Sequence, residues 1–292
     1  MAFSMKHKWF SVLACVAVVG AGISANAGDT QQAAVDHSFE EVRVAVSAAS
    51  LAEILQIDHA RLAAAEGVEM PPARVQLFSD PALNAAILRE NIRAGLDLPF
   101  RVLSFEEKGT PTVSYTSSAF LAQRHNLSAS APLADFDARL HDVFSQVKEV
   151  SAQKVATDDI VPDFAILEIR SNYGVEETVS RLKKVVTAQS DTIWFGEIDF
   201  QAEAEDYDVS LVPAQLLLFG GPAPGGVAMA AFPAIGLDAF CQKLLVYQGR
   251  DGKAVVIYND IAALAQLHYG QSIEPHDLLN KRLTATFAEA VK

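Results

Sequence analysis

The sequence predicts an α+β fold built twice. Three observations carry that expectation: identities between the two halves, short strand-like and helix-like segments in succession along the second half, and a hairpin signal near the C-terminus. At an offset of 141 residues, Ile57-Asp58 falls on Ile198-Asp199, Pro72-Ala73 on Pro213-Ala214 and Leu77-Phe78 on Leu218-Phe219. The same frame matches Pro81-Ala82 to Pro222-Ala223 and Gly95-Leu96-Asp97 to Gly236-Leu237-Asp238. At an offset of 143, Val113-x-Tyr115 meets Val256-x-Tyr258, and Leu121-Ala122-Gln123-x-His125 meets Leu264-Ala265-Gln266-x-His268. Self-similarity at a fixed period marks a repeated structural unit.

In the second copy, Phe164 to Arg170 reads as a strand, and Val175, Val179, Leu182 and Val185 then recur at helical spacing. Strands are expected at Thr192 to Phe200, Gln215 to Phe219, Lys243 to Tyr247 and Ala254 to Tyr258. Asp251-Gly252 joins the last two, because this pair accepts the positive φ that a tight hairpin requires. Asp260 offers a carboxylate to the free N–H groups of a short helix over Ile261 to His268, and Pro275 suits the first turn of a last helix. The unit is a strand and a helix followed by mostly antiparallel strands and C-terminal helices. Fewer residues separate Val44 from Ile57 than Leu167 from Ile198. With a strand centred on Val44, copy one is therefore expected to lack the first helix and part of the next strand. The chain divides into a leader (1–27), a shortened first copy (28–150), a linker (151–163) and a second copy (164–292); residues 28–150 alone are expected to be unstable or to self-associate, and residues 160–292 to fold.

The N-terminus reads as a signal peptide cleaved after Ala27. Lys6 and Lys8 precede an apolar run from Trp9 to Ile23, and Ala25-Asn26-Ala27 offers small residues for cleavage. A permanent anchor needs roughly 18 to 20 apolar residues, more than this run supplies. Val12-Leu13-Ala14-Cys15 has the look of a lipoprotein box, but few apolar residues precede it. Val227 to Leu237 is short and broken by Pro233, so no stable membrane insertion is expected after cleavage, and the protein is expected to be periplasmic or secreted. Loss of Lys6 and Lys8 moves the formal charge from −13 to −15. An acidic chain has no electrostatic reason to bind nucleic acid or anionic lipid. With Cys15 in the leader, Cys241 is left unpaired and reads as a small buried hydrophobe.

Ile57-Asp58-His59-Ala60, Pro71-Pro72, Phe78-x-x-Pro81, Asp97-Leu98-Pro99 and the Tyr115 to His125 segment together resemble the bacterial domain of unknown function 302 family. Copy two repeats the pattern as Phe219-Gly220-Gly221-Pro222, Tyr258-Asn259-Asp260 and Leu264 to His268. The resemblance implies a fold like the TATA-binding-protein class, two curved, mostly antiparallel sheets backed by helices and arranged as a pseudo-dimer, with no established activity. The family's Gly-Asn-Pro turn is Ser79-Asp80-Pro81 in one copy and Gly220-Gly221-Pro222 in the other.

The candidate ligand-binding residues are Tyr115 with His125, Tyr258 with His268, and the aligned carboxylates Asp58 and Asp199. Each tyrosine ends a strand and each histidine lies in the next helix, so both could face one groove, where imidazole can ligate or move a proton. The bland reading has the tyrosine seat the sheet edge, the histidine pack the helix and each aspartate cap the next element of the chain. Two residues per copy do not make a metal site. His59 would be a third ligand in copy one, but Phe200 stands at its counterpart, so no metal and no cofactor is expected. His37, His141 and His276 have no counterparts and read as solvated. The run Gly220 to Gly226 lacks the Lys-Ser/Thr of a phosphate loop and reads as a tight turn; Glu203, Glu205, Asp206 and Asp208 read as a solvated connection.

Neither a Gly-x-Ser-x-Gly elbow, a His-Glu-x-x-His helix nor a Cys-x-x-Cys pair occurs. The leading expectation is an exported noncatalytic module that binds a small-molecule or protein ligand, with the two copies paired within the chain. The alternative is an enzyme or a haem- or metal-linked protein using the Tyr/His pairs.

Overall fold

The structure, a computed structural model, describes residues 27–292. The expected signal peptide, with Lys6, Lys8 and Cys15, lies outside the described residues save for Ala27. Copy one runs α1 (Ala27–Ala48), β1 (Ala52–Asp58), α2 (His59–Ala65), β2 (Ala73–Ser79), α3 (Pro81–Leu88), a 3-10 turn (Ile92–Leu96), β3 (Phe100–Glu107), β4 (Thr110–Tyr115), α4 (Ser118–His125) and α5 (Ala131–Phe144). After β5 (Ala152–Lys154), copy two runs β6 (Ile166–Arg170), α6 (Val175–Thr187), β7 (Ile193–Asp199), α7 (Phe200–Glu205), β8 (Ala214–Gly220) and α8 (Pro222–Met229). A second 3-10 turn (Pro233–Leu237), β9 (Gln242–Gln248), β10 (Ala254–Asn259), α9 (Ile261–Tyr269) and α10 (Glu274–Ala290) complete it. The class is α+β.

The strands form two five-stranded sheets, ordered β1-β2-β3-β4-β5 and β6-β10-β9-β8-β7. All pairs are antiparallel except β5, which lies parallel to β4 with Val113 opposite Ala152. The helices α1 and α6 cover the outer faces, helped by α5 and α10 through Phe136 on Phe100, Phe144 on Tyr115 and Phe287 on Phe219. The inner faces meet each other's copy, so β2 and β8 are buried along nearly their whole length instead of alternating.

Two expectations fail at the start of copy one. The segment around Val44 is helical: Val35, Phe39, Val42 and Val46 are buried while Val44 is 53% exposed, a helical period and not a period of two. Copy one therefore has the helix and a full-length β1, and what it lacks is the strand corresponding to β6. Its place beside β4 is taken by β5, from the segment expected as linker, which also buries Val155 and Ile160.

The glycine run expected as a turn forms α8 instead, opened by Pro222 at its first turn. Helix-interior glycine is tolerated here because α8 crosses α2 closely: a Cβ on Gly226 would lie 2.6 Å from that of Ala63. His276, expected on the surface, is fully buried at the start of α10. Its Nε2–H donates to the Ala228 carbonyl at 2.9 Å and its ring meets Phe232 edge-on. His141 is exposed.

Candidate functional site

The two copies interlock by a reciprocal exchange. The 3-10 turn of copy one packs on β8, β9 and β10, that of copy two on β2, β3 and β4, and α2 meets α8 while α3 meets α7. Glycine permits both turns to approach. A Cβ on Gly95 would lie 2.9 Å from Phe200 and 3.0 Å from Leu245, and one on Gly236 would lie 3.2 Å from Leu103 and 3.4 Å from His59. These contacts are one another's images under the repeat. His59 thus fills in one half the socket that Phe200 fills in the other, and burial pushes its imidazole down to about 4 despite a hydrogen bond to the Gly236 backbone. Its Nε2 has no partner.

Each turn delivers an aspartate to the centre, Asp97 and Asp238, both almost completely buried. Asp97 accepts from Arg124 Nη1 at 2.8 and 2.9 Å, from Arg101 Nη2 at 3.1 Å and from His125 Nε2 at 2.6 Å. Burial works to raise its carboxyl, but Arg124, His125 and Arg101 outweigh burial and hold it well below the usual carboxylate range. Across the junction, Arg101 Nη2 donates to Asp238 at 2.7 Å. Asp238 also meets His268 Nε2 at 3.3 Å, and against the opposing effect of burial Arg101, with His268 and Lys243, brings it down to about 2. Arg124 is saturated by the carbonyls of Phe164 and Ala165 and by the Asn259 side chain at 2.7 Å. Asn259 in turn donates to the Asp238 carbonyl at 2.7 Å.

The exchange is unequal. Strand pairing places Arg101 and Lys243 at matching positions, opposite Leu77 and Leu218. Arg101 reaches its Asp238 at 2.7 Å, while Lys243 Nζ stops 4.0 Å from Asp97 with no hydrogen bond. Burial, with Arg101 adding repulsion, pushes Lys243 down to about 7. Burial likewise lowers His125, despite its bond to Asp97, and raises the neighbouring Cys241 thiol to about 11. Both groups are enclosed, the His125 side chain completely and Cys241 at 5% exposure, and a buried thiol held protonated is a poor nucleophile.

The Tyr/His pairs are split between environments. His125 and His268 turn to the aspartates at the junction, whereas Tyr115 packs at a tilt against Phe144 of α5 and the Tyr258 hydroxyl donates to Thr284 of α10 at 2.6 Å. Asp58 and Asp199 are N-caps, accepting from Arg61 N at 2.9 Å and Ala202 N at 3.0 Å. Sequence reasoning passed over Arg124 because Leu267 is its counterpart. It also passed over Asp97 and Asp238, although both stand within the Gly-Leu-Asp repeat. His37 bonds Glu149 at 2.8 Å with Glu41 nearby, an exposed group distant in sequence from the candidates.

Beside this closed centre lies an open groove of about 740 Å³ with walls from both copies. Copy one contributes Arg89, Asn91 and Arg93; copy two contributes Arg170, Tyr247 and Arg250. Arg93 ties the walls together, donating to the Tyr247 hydroxyl at 2.8 Å and to Glu168 at 2.7 Å while pairing with Asp163. The repeat does not reproduce this face, since Arg89 and Arg93 align with Ala230 and Ala234.

Comparison with known proteins agrees with the duplication. The chain is 33% identical over 103 residues to proteins named fluoride-specific ion channel FluC 1 from Brucella suis and from Brucella abortus. The match takes in 34% of this chain and 41% and 38% of theirs, so the chain spans about two fifths of the length of these curated relatives. The crystal structure of an uncharacterized conserved DUF302 protein from Bacillus stearothermophilus aligns with 44% of this chain and 98% of its own, at 16% identity and a TM-score of 0.38. The family described as "Domain of unknown function DUF302" matches residues 29–147 and again 167–290, and with both copies accounted for, the chain belongs to that family.

Proposed function

We propose that this chain is an exported, noncatalytic binding module whose two copies act as one unit and hold a small molecule in the groove at their junction. The groove carries the reading: its size falls within the range of small-molecule sites, and both copies build it. The residues on which an enzyme or haem reading relies are enclosed, His125 and His268 at 0% and 9% side-chain exposure against buried aspartates and the tyrosines against their own C-terminal helices. From the relatives named as fluoride channels, which share 103 residues with this chain, the channel activity is not carried over.

A thermal-shift screen of small metabolites tests the groove on residues 28–292 and on Val212→Trp, whose indole would intrude into it. Compounds that raise the Tm of the first and not of the second support the reading. Equal shifts in both, or no shifts at all, overturn it. Export rests on the N-terminal sequence: protein recovered from the periplasm should begin at Gly28, and full-length protein in membranes would count against it.

A further inference from the structure

We infer that the groove takes a small organic anion with at least two acidic groups, held between Arg89 of copy one and Arg250 of copy two; this rests on the groove being the ligand site. The chain as a whole is acidic, with 23 Lys and Arg against 36 Asp and Glu, yet four arginines gather here. Two of them already have acidic partners: Arg93 is held by Glu168 at 2.7 Å and Asp163 at 2.8 Å, while Arg170, 73% exposed, makes a loose surface pair with the same Glu168 at 3.4 Å.

The other two are free. Among the described residues the side chains of Arg89 and Arg250 make no hydrogen bond or ion pair. Arg89 follows the end of α3, and Arg250 stands on the β9–β10 hairpin, closed by Gly249 N donating to the Lys253 carbonyl at 2.7 Å. Asp251, the acid next to Arg250, also lines the groove, with one carboxylate oxygen accepting from Lys253 N at 3.1 Å. Each free guanidinium presents a planar fork of donors, the geometry that suits carboxylate and phosphate oxygens.

The anchors come from different copies, and the space between them includes Leu211 and Val255, surface suited to a carbon skeleton. A lone inorganic ion would leave most of about 740 Å³ to water, whereas a carbon skeleton with acidic groups at both ends suits arginines supplied by both copies.

Isothermal titration of residues 28–292 at low ionic strength tests this with citrate, inorganic phosphate and trimethyl citrate, the uncharged ester of the same skeleton. Citrate is expected to bind about tenfold or more tighter than phosphate and to lose about tenfold in each of Arg89→Ala and Arg250→Ala, the scale of one charge-assisted contact. Both arginines are exposed, so neither variant removes core contacts. Trimethyl citrate is expected to be silent. If it binds as well as citrate, the anion class is wrong while the groove stands. Equal binding of phosphate and citrate overturns the two-anchor arrangement, and unchanged citrate affinity in both variants overturns the site. No citrate binding also overturns the inference, and compounds lost in Val212→Trp would then still support the groove.

Discussion

Lys243 is the residue at which the junction is least satisfied. Its amine is buried, 4.0 Å from Asp97, and repelled by Arg101. Its folded value, about 7, lies below the ordinary 10.5, so between those pH values the unfolded chain binds a proton that the folded chain does not. Stability contributed at this site therefore rises with pH from about 7 toward 10.5, the reverse of a lysine that gains a partner. Urea midpoints between pH 6.5 and 10 should show that rise in the wild type and lose it in Lys243→Met; a rise that persists in the variant would remove Lys243 as its source. Asp238 acts at the other end of the scale. Its contribution is present above its ordinary 3.8 and is lost as pH falls through about 2. Its partner Arg101 is not interchangeable with Lys243, because breaking a buried pair leaves an uncompensated charge, at a cost of about 3 to 5 kcal/mol.

Among the elements, local chemistry was legible and crossings were not. Asp260 and the Asp251-Gly252 turn act on neighbours a few residues away, and they stand where the sequence places them. Val42, Val44 and Val46 misled because alternate valines imitate a strand, while the buried positions Val35, Phe39, Val42 and Val46 lie on one face of a helix. The glycines of α8 misled for a related reason: their cause is the helix lying across them, and α2 is more than a hundred residues away in the chain. That crossing predicts that Gly226→Ala should cost about 1 to 3 kcal/mol by overpacking, since the obstructing atoms are the Cβ of Ala63 and, at 3.0 Å, Cγ1 of Val68, neither of which can swing aside. An unchanged denaturation midpoint would mean that the helices part freely. The candidate site had the same limit. His125 and His268 were visible through the repeat, but their partners Asp97 and Asp238 and the arginine that crosses to Asp238 come together only when the copies dock.

At the scale of the molecule, docking leaves neither copy with a complete core. Each sheet takes the other's 3-10 turn on its inner face, and Asp238 finds Arg101 only across the junction. Instability on separation, expected from sequence for the first copy alone, therefore extends to both: residues 28–150 also lose β5, and residues 160–292 keep Asp238 without its arginine. The intact chain should unfold in one cooperative calorimetric transition, and the separated fragments should aggregate or associate with each other. Two resolved transitions, or a well-folded monomeric fragment, would show that the copies are independent.

Fusing the copies has a further result. A dimer of identical chains would carry every side chain twice, on both faces of its axis. Here Arg89 and Arg93 face Ala230 and Ala234 across the repeat, so one face has been changed without changing the other. Symmetry has been broken in composition on this face, while the four strands β1 to β4 still pair as β7 to β10 do. A ligand held in the proposed groove is expected to bind one per chain and to titrate as a simple hyperbola, because a lone site has no twin with which to be cooperative.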